Sequence, residues 1–409
     1  MGTHRLYYDD SYLQNFEARV LSCSPGRPVQ GPSGTRAAWE VLLDQTAFYP
    51  SSGGQPNDLG LLDEAVLLDV REEGDDIMHI VDRELAAGSV KGCVSWPRRF
   101  DHMQQHTGQH LLSAMFQERF ALPTVSFHLG ADLSTIDLRG QEPSWAHLLG
   151  AQRAANQAIF EDRPVNVRYG TAEQLAQRGV RKQVDREGLL RAIEIESADL
   201  QPCGGTHVKS TGQIGLILIR GLSKVRQDWR VEFACGGRAE RLATDDLARQ
   251  RALVASLSCA VEDLPMAIEN LTAERDAHFK SLRSALQQLA EARAAQLVGE
   301  ASAGANGFRL VAHVLDGVHP ELLLPLATEI AKHERTVAML ILAESGQLVF
   351  AQHRAAGKDM AAILKSVLAT HPGKGGGSKD FVRAKLADAA ASPRALDLAS
   401  RLARPDAQK

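Results

Sequence analysis

The 409-residue chain lacks the marks of a secreted, membrane-spanning or strongly basic protein. Its opening, "MGTHRLYYDDSYL", has no basic segment followed by an apolar stretch, so no secretory signal is expected. No apolar run approaches the roughly 20 residues needed to span a bilayer. Five scattered cysteines (Cys23, Cys93, Cys203, Cys235 and Cys259) argue against a disulfide framework, being odd in number. These absences favour a cytoplasmic protein. With a net charge of −4 the surface as a whole is no trap for nucleic acid, so any such binding must come from local basic patches.

What is present is ordinary globular composition, 44% hydrophobic and 23% charged, in a chain too long for one core. Residues 1–95 read as short β segments, "AWEVLLD", "AVLLDVR" and "IMHIVD", separated by turns, and are expected to form a small N-terminal β-barrel. Residues 96–240 mix helix and strand. Asp101 is expected to cap a helix carrying His106 and His110, and Ser144 a second one with Leu148, Ala155 and Ile159 at helical spacing. "AIEIES", "QIGLILIR" and "WRVEFAC" then read as strands, so helices on an antiparallel sheet fit best. Residues 241–304 are helical, with Pro265 starting a new helix. Leu264, Ile268, Leu271, Leu282, Leu286 and Leu289 approximate a stripe that suits either a hairpin packed on its own chain or a dimerising coiled coil. "GEASAGANG" is a linker, and residues 305–409 alternate strand and helix as a compact α/β module. The fold class is α+β.

Histidines four apart on a helix share one face, so His106 and His110 in "HTGQHLL" can aim at one point. Alone, the pair is equally two polar residues on an exposed turn. In "LQPCGGTHVKS", Cys203 and His207 are also four apart, across a Gly-Gly loop able to wrap a small cation or simply to bury a thiol. The two half-sites together offer four sulfur and nitrogen ligands, the number a tetrahedral zinc ion takes. His102 is expected to be a solvated histidine at the helix start. Thr107 stands where a zinc protease needs glutamate, which disfavours a metallopeptidase.

Three motifs in order, "TAFYPSSGGQPNDLG", "HTGQHLL" and "CGGTHV", resemble the editing domain of alanyl-tRNA synthetase and the free-standing AlaX alanyl-tRNA editing proteins, over roughly residues 5–240. "GKGGGSKDF" is similar to the glycine-rich loop of the DHH-associated C-terminal domain of the synthetase, although that loop is shorter here. No alanine-activating segment precedes the match and no DHH motif is present, so the resemblance implies a long-form trans-editing factor. It implies that His106, His110, Cys203 and His207 bind one zinc ion per chain. It also implies that the substrate is alanine tRNA mischarged with serine or glycine, that its ester is hydrolysed, and that the C-terminal module helps hold the tRNA.

Discriminating serine from alanine calls for buried polar partners that alanine leaves unpaired, at about 1–3 kcal/mol per group. Thr124 and Ser126 are the leading candidates, ahead of His128, because a hydroxyl both donates and accepts. Gln55, after Gly53-Gly54, is expected either to offer its amide to the ester or ribose or to bond its own turn. For tRNA, Lys224 and Arg226 lie in "RGLSKVRQDWR", and Lys374, Gly375, Gly376, Gly377 and Lys379 in "HPGKGGGSKDFVRAK". Each stretch has four cations against one acid, and glycine backbones approach phosphates closely. A non-catalytic tRNA-binding protein that keeps the zinc fold is the competing class.

Overall fold

Alternation of apolar and polar side chains governs the first strands: Phe16, Ala18 and Val20 are buried while their neighbours face out. The computed structural model describes residues 2–31, 34–181, 188–304 and 307–404. The chain divides into two compact units, Met1–Ala252 and Leu253–Lys409. Of the expected linker, Ala305 and Asn306 lie outside the described residues.

In the first unit, β1 (Asn15–Pro25), β2 (Trp39–Leu43), β3 (Gly60–Leu62), β4 (Ala65–Glu73), β5 (Asp76–Val81) and β6 (Gly88–Val94) close into a ring ordered β6-β1-β2-β5-β4-β3. Every neighbouring pair, including β3 with β6, is antiparallel. Val41, Leu43, Leu62, Leu67, Ile77 and Val90 are among the side chains that fill it.

A 25-residue helix, α1 (Trp96–Phe120), follows directly. It begins at Trp96-Pro97 rather than at Asp101, because proline suits a first turn and Ser95 takes the cap position. Asp101 therefore lies inside the helix, where its carboxylate pairs with Arg238 at 2.6 Å. Next come β7 (Thr124–Leu129), β8 (Ser134–Leu138) and α2 (Trp145–Phe160), whose Ser144 accepts from the His147 N–H as an N-cap. β9 (Val165–Gly170), β10 (Leu190–Ile195) and β11 (Asp199–Pro202) make a three-stranded sheet. β12 (Ile217–Val225) and β13 (Asp228–Cys235) join β7 and β8 in an antiparallel sheet ordered β7-β8-β13-β12. One core is shared by α1, α2 and this sheet, with Leu111, Leu112, Phe116, Ile136, Leu148 and Phe233 in it. α3 (Gly236–Leu257) follows β13.

The second unit opens with α4 (Leu264–Glu300), which has Pro265 in its first turn. Only its second half is buried, through Leu286, Ala290, Ala294, Leu297 and Val298, while Ile268, Leu271 and Leu289 are exposed. β14 (Arg309–Leu315), α5 (Leu323–Ala331), β15 (Thr336–Leu342), β16 (Gln347–Gln352), α6 (Met360–Thr370), β17 (Gly373–Gly377), β18 (Phe381–Leu386) and α7 (Ser392–Ala403) complete it. The sheet order is β14-β15-β16-β18-β17, with only β14 and β15 parallel. Interior strand β15 is buried at every residue, feeding Ala338 and Leu340 to one core and Val337, Met339 and Ile341 to the other. The glycine-rich segment is not a loop: Gly373–Gly377 is an edge strand paired with β18. Its backbone bonds come from a ladder that residues without side chains do not announce in sequence.

Candidate metal centre and its cavity

Helix α1 is the platform of the site. His106 and His110 stand one turn apart with ring centroids separated by 5.3 Å. The loop after β11 brings Cys203 and His207 to them, the His207 ring lying 4.4 Å from His106 and 4.9 Å from His110. The ligand atoms that the four residues offer all lie within 4.8 Å of one another. Cys203 Sγ is 3.4 Å from His106 Nε2 and 3.3 Å from His207 Nε2. Gly205 permits this approach, since a Cβ there would fall 2.2 Å from His106 Cε1.

The outward nitrogen of each imidazole has its own partner. His106 Nδ1 is 2.8 Å from Gln55 Oε1, and His110 Nδ1 is 3.1 Å from Asp199 Oδ2. Both oxygens only accept, so both Nδ1 atoms carry hydrogen, and in the neutral rings the Nε2 atoms present the lone pairs. His207 Nδ1 is 3.1 Å from Thr107 Oγ1, whose own hydrogen is committed to Met103 O at 2.8 Å, so Thr107 accepts as well. Three tautomers are thus set by three groups outside the cluster, the usual way a protein orients metal-binding imidazoles.

Electrostatics favour the donor form at Cys203 and His207 and oppose it at His110. Burial opposes a thiolate at Cys203, yet the His106 and His207 imidazoles pull the thiol well below its usual range. Burial, reinforced by His106, lowers His207 to about 3, which keeps it neutral. At His110 burial works against the proton, and the Asp199 hydrogen bond overrides it, raising the group to about 9, so a metal ion at Nε2 would have to displace a proton there. Burial likewise opposes charge on Asp199, but His110 and Arg181 hold its carboxyl below the usual range. Three imidazole nitrogens and one thiolate-prone sulfur fit a divalent ion that accepts both donor types.

Beside the cluster opens a cavity of about 790 Å³, lined by Tyr8, Gln109, Thr124, Ser126 and Arg181 among others. Thr124 Oγ1 donates to Ser113 Oγ at 2.8 Å, and Gln109 Nε2 reaches the same oxygen at 2.9 Å. Ser126 Oγ donates to Asp137 Oδ2 at 2.6 Å. His128 is exposed outside the lining. Gln55 is buried, and its amide does not face the open cavity. Gly53 and Gly54, with φ of 55° and 82°, turn the chain so that Gln55 bonds His106, Thr206 Oγ1 (2.9 Å) and the Thr206 N–H (3.2 Å). His102 is buried rather than solvated, and burial lowers it to about 4. It is not one of the four grouped ligands.

The cations of the 220–230 hairpin are partly neutralised. Arg220 pairs with Asp246 and Arg230 with Asp137, partners invisible to a local count. Lys224 lies over the Trp229 ring at 5.4 Å, and Arg226 occupies the turn with φ of 57°. In the second unit Lys374 and Lys379 are exposed, Lys374 opposite Lys385 and Gly376 opposite Arg383. Gly375 and Gly377 complete the same edge strand.

Sequence reasoning passed over Gln109, Asp199 and Arg181, and read Thr107 only as the residue that disfavours a metallopeptidase. Gln109 adjoins His110 and could have been flagged by position. Asp199 and Arg181 sit 89 and 71 residues from His110 in sequence, and nothing local links them to it.

Residues 190–232, from β10 into β13 and including Cys203 and His207, match the family described as "Threonyl and Alanyl tRNA synthetase second additional domain". The chain is 30% identical over 399 residues to alanyl-tRNA editing protein AlaX-L of Pyrococcus horikoshii, covering 93% of this chain and 94% of that one. It is 32% identical over 352 residues to alanyl-tRNA editing protein Aarsd1 of Mus musculus, covering 83% and 84%. Against alanine–tRNA ligase of Pyrobaculum neutrophilum it is 31% identical over 404 residues, 93% of this chain but 42% of the ligase. The chain belongs to the family of alanyl-tRNA editing proteins. No helix among the described residues is long and apolar enough to cross a membrane.

Proposed function

We propose that this chain is a cytoplasmic trans-editing hydrolase that removes serine or glycine from mischarged alanine tRNA, with one zinc ion held by His106, His110, Cys203 and His207. The observation that carries the reading is a convergent set of three imidazoles and one thiol, tautomers fixed from outside, beside a hydroxyl-lined cavity. When bound, zinc supplies positive charge that polarises an ester carbonyl or a water. Gln55, Thr107 and Asp199 hold the three imidazoles in register. Thr124, Ser126 and Gln109 offer hydrogen bonds to a serine hydroxyl, which alanine would leave unmet at about 1–3 kcal/mol per group. Water adds to the ester carbonyl, the ester C–O bond breaks, and the terminal ribose hydroxyl leaves with a proton, giving free amino acid and uncharged tRNA.

Lys224, Arg226, Lys374, Lys379 and the backbone of Gly375–Gly377 are read as tRNA contacts. Residues 1–95, 96–240, 241–304 and 305–409 are read as β-barrel, editing, helical and tRNA-binding segments. A homodimer would form through the exposed stripe of α4 or through the C-terminal module. The test is direct: purified protein is incubated with seryl-, glycyl- and alanyl-tRNA and loss of each ester is followed. Loss of seryl or glycyl ester with alanyl ester spared is the expected result. Binding without any deacylation would make the protein a tRNA-binding scaffold instead.

A further inference from the structure

Arg181 touches two parts of the site at once. It lines the cavity, and its Nε and Nη2 fork grips Asp199 at 2.8 Å and 3.3 Å. Its own N–H bonds Leu200 O at 3.1 Å, which ties the guanidinium beside that carboxylate. Asp199 is fully buried and passes the contact on to His110 Nδ1.

Arg5, the other arginine on the cavity wall, makes an instructive contrast. Its partner Glu72, 2.6 Å away, lines the same cavity, so the two charges cancel where a ligand would sit. Asp199 is absent from the lining and lies behind Arg181. The Arg181 pair therefore points its positive end at the cavity and its negative end at the cluster. Asp199 occupies two of the five guanidinium N–H donors, and the rest suit an anionic group with oxygen acceptors.

We propose that Arg181 is a positioning residue that links substrate to metal: it fixes Asp199, and so the His110 tautomer, while facing a phosphate of the terminal nucleotide of the RNA. This deepens, and rests on, the reading of the protein as an aminoacyl-tRNA hydrolase. The link to the metal also makes a prediction independent of activity.

The full-length protein and its Arg181→Gln, Arg181→Lys and Asp199→Asn variants are loaded with zinc and titrated with a competing chelator. Asp199→Asn and Arg181→Gln are both expected to weaken zinc retention on the order of 10–100-fold, the usual cost of losing a partner behind a metal-bound histidine. KM and kcat are then measured at saturating zinc on seryl-tRNA and on seryl-adenosine, an ester without phosphate. Arg181→Gln is expected to raise KM for seryl-tRNA on the order of tenfold, as loss of a charged hydrogen bond does, with no rise in KM for seryl-adenosine. Arg181→Lys keeps the charge but loses the fork, so it restores KM while zinc retention stays weakened.

Wild-type zinc retention in Arg181→Gln overturns the link to His110. An equal rise in KM for both esters overturns the phosphate contact. Should Arg181→Gln fail to fold by circular dichroism, Arg181→Lys carries the zinc test. A wild-type protein that cleaves neither ester removes the proposed function, and the phosphate contact with it, while the zinc titration still decides the Arg181–Asp199–His110 link.

Discussion

The four donors of the first unit and the cations of the β17–β18 hairpin in the second differ first in burial. His106, His110 and His207 are buried and each is held by another side chain. Lys374, Lys379, Arg383 and Lys385 are exposed on or beside an edge strand of glycines. The first arrangement defines one geometry for one small ion, at the expense of desolvating every group in it. The second keeps its charge solvated and suits a polyanion whose position need not be defined to an ångström. The same division runs through the ion pairs: Arg99 of α1 pairs with Asp58 at zero exposure, whereas Arg401–Asp397 lies in the open.

Removing a donor should have the largest effect. Cys203→Ala is expected to lose zinc and to drop seryl-tRNA hydrolysis by more than about a hundredfold, exceeding the cost of an outer partner. Elemental analysis and ester loss on the folded variant check it, and a zinc-free variant with full activity would falsify the proposed function. Next is the buried pair. Arg99 also donates to Ser11 O and Ala47 O, so it ties α1 to the ring loops. Arg99→Met leaves Asp58 charged and unpaired, and is expected to cost about 3–5 kcal/mol in denaturant unfolding. A loss below 1 kcal/mol would mean that burial is not what makes this pair matter.

His79 sharpens the comparison through pH. Burial lowers it to about 4, with Thr46 Oγ1 at 2.8 Å from its Nε2 and Val41 O at 3.3 Å from its Nδ1. The unfolded chain binds that proton near pH 6.5. Between those values the unfolded state holds more protons, so stability falls as pH falls, by up to about 3 kcal/mol. Unfolding curves of the wild type and His79→Gln from pH 7 to 4 should show the variant with the shallower decline. Equal declines would place the acid sensitivity elsewhere. The smallest effect belongs to the exposed cations. Lys374→Ala combined with Lys379→Ala is expected to weaken tRNA binding and to reduce the slope of log K against log salt by about one to two. An unchanged slope would remove this hairpin from the tRNA contact.

Local signals were strongest where one residue's neighbours in sequence are also its neighbours in space. The β segments at 38–44, 65–71 and 77–82, the Ser144 cap and the Pro265 helix start all read directly from pattern. The four-residue spacings of His106/His110 and Cys203/His207 were legible for the same reason. Gln55 was legible as a special residue but not in its placement, because its partner His106 lies 51 residues away. The 220–230 stretch looked more basic than it is, since Asp137 and Asp246 reach it from other elements. His102 looked solvated because a helix start is normally exposed, whereas α1 begins a turn and a half earlier and buries it.

By itself the sequence determined the strand and helix segments and the two ligand half-sites, because period, caps and four-residue spacing are properties of adjacent residues. Tertiary structure alone decided that the half-sites meet, which nitrogen of each histidine faces inward, and that Asp199 and Arg181 stand behind His110. Those outcomes depend on side chains up to 100 residues apart being pressed into contact, and no local pattern encodes such a meeting.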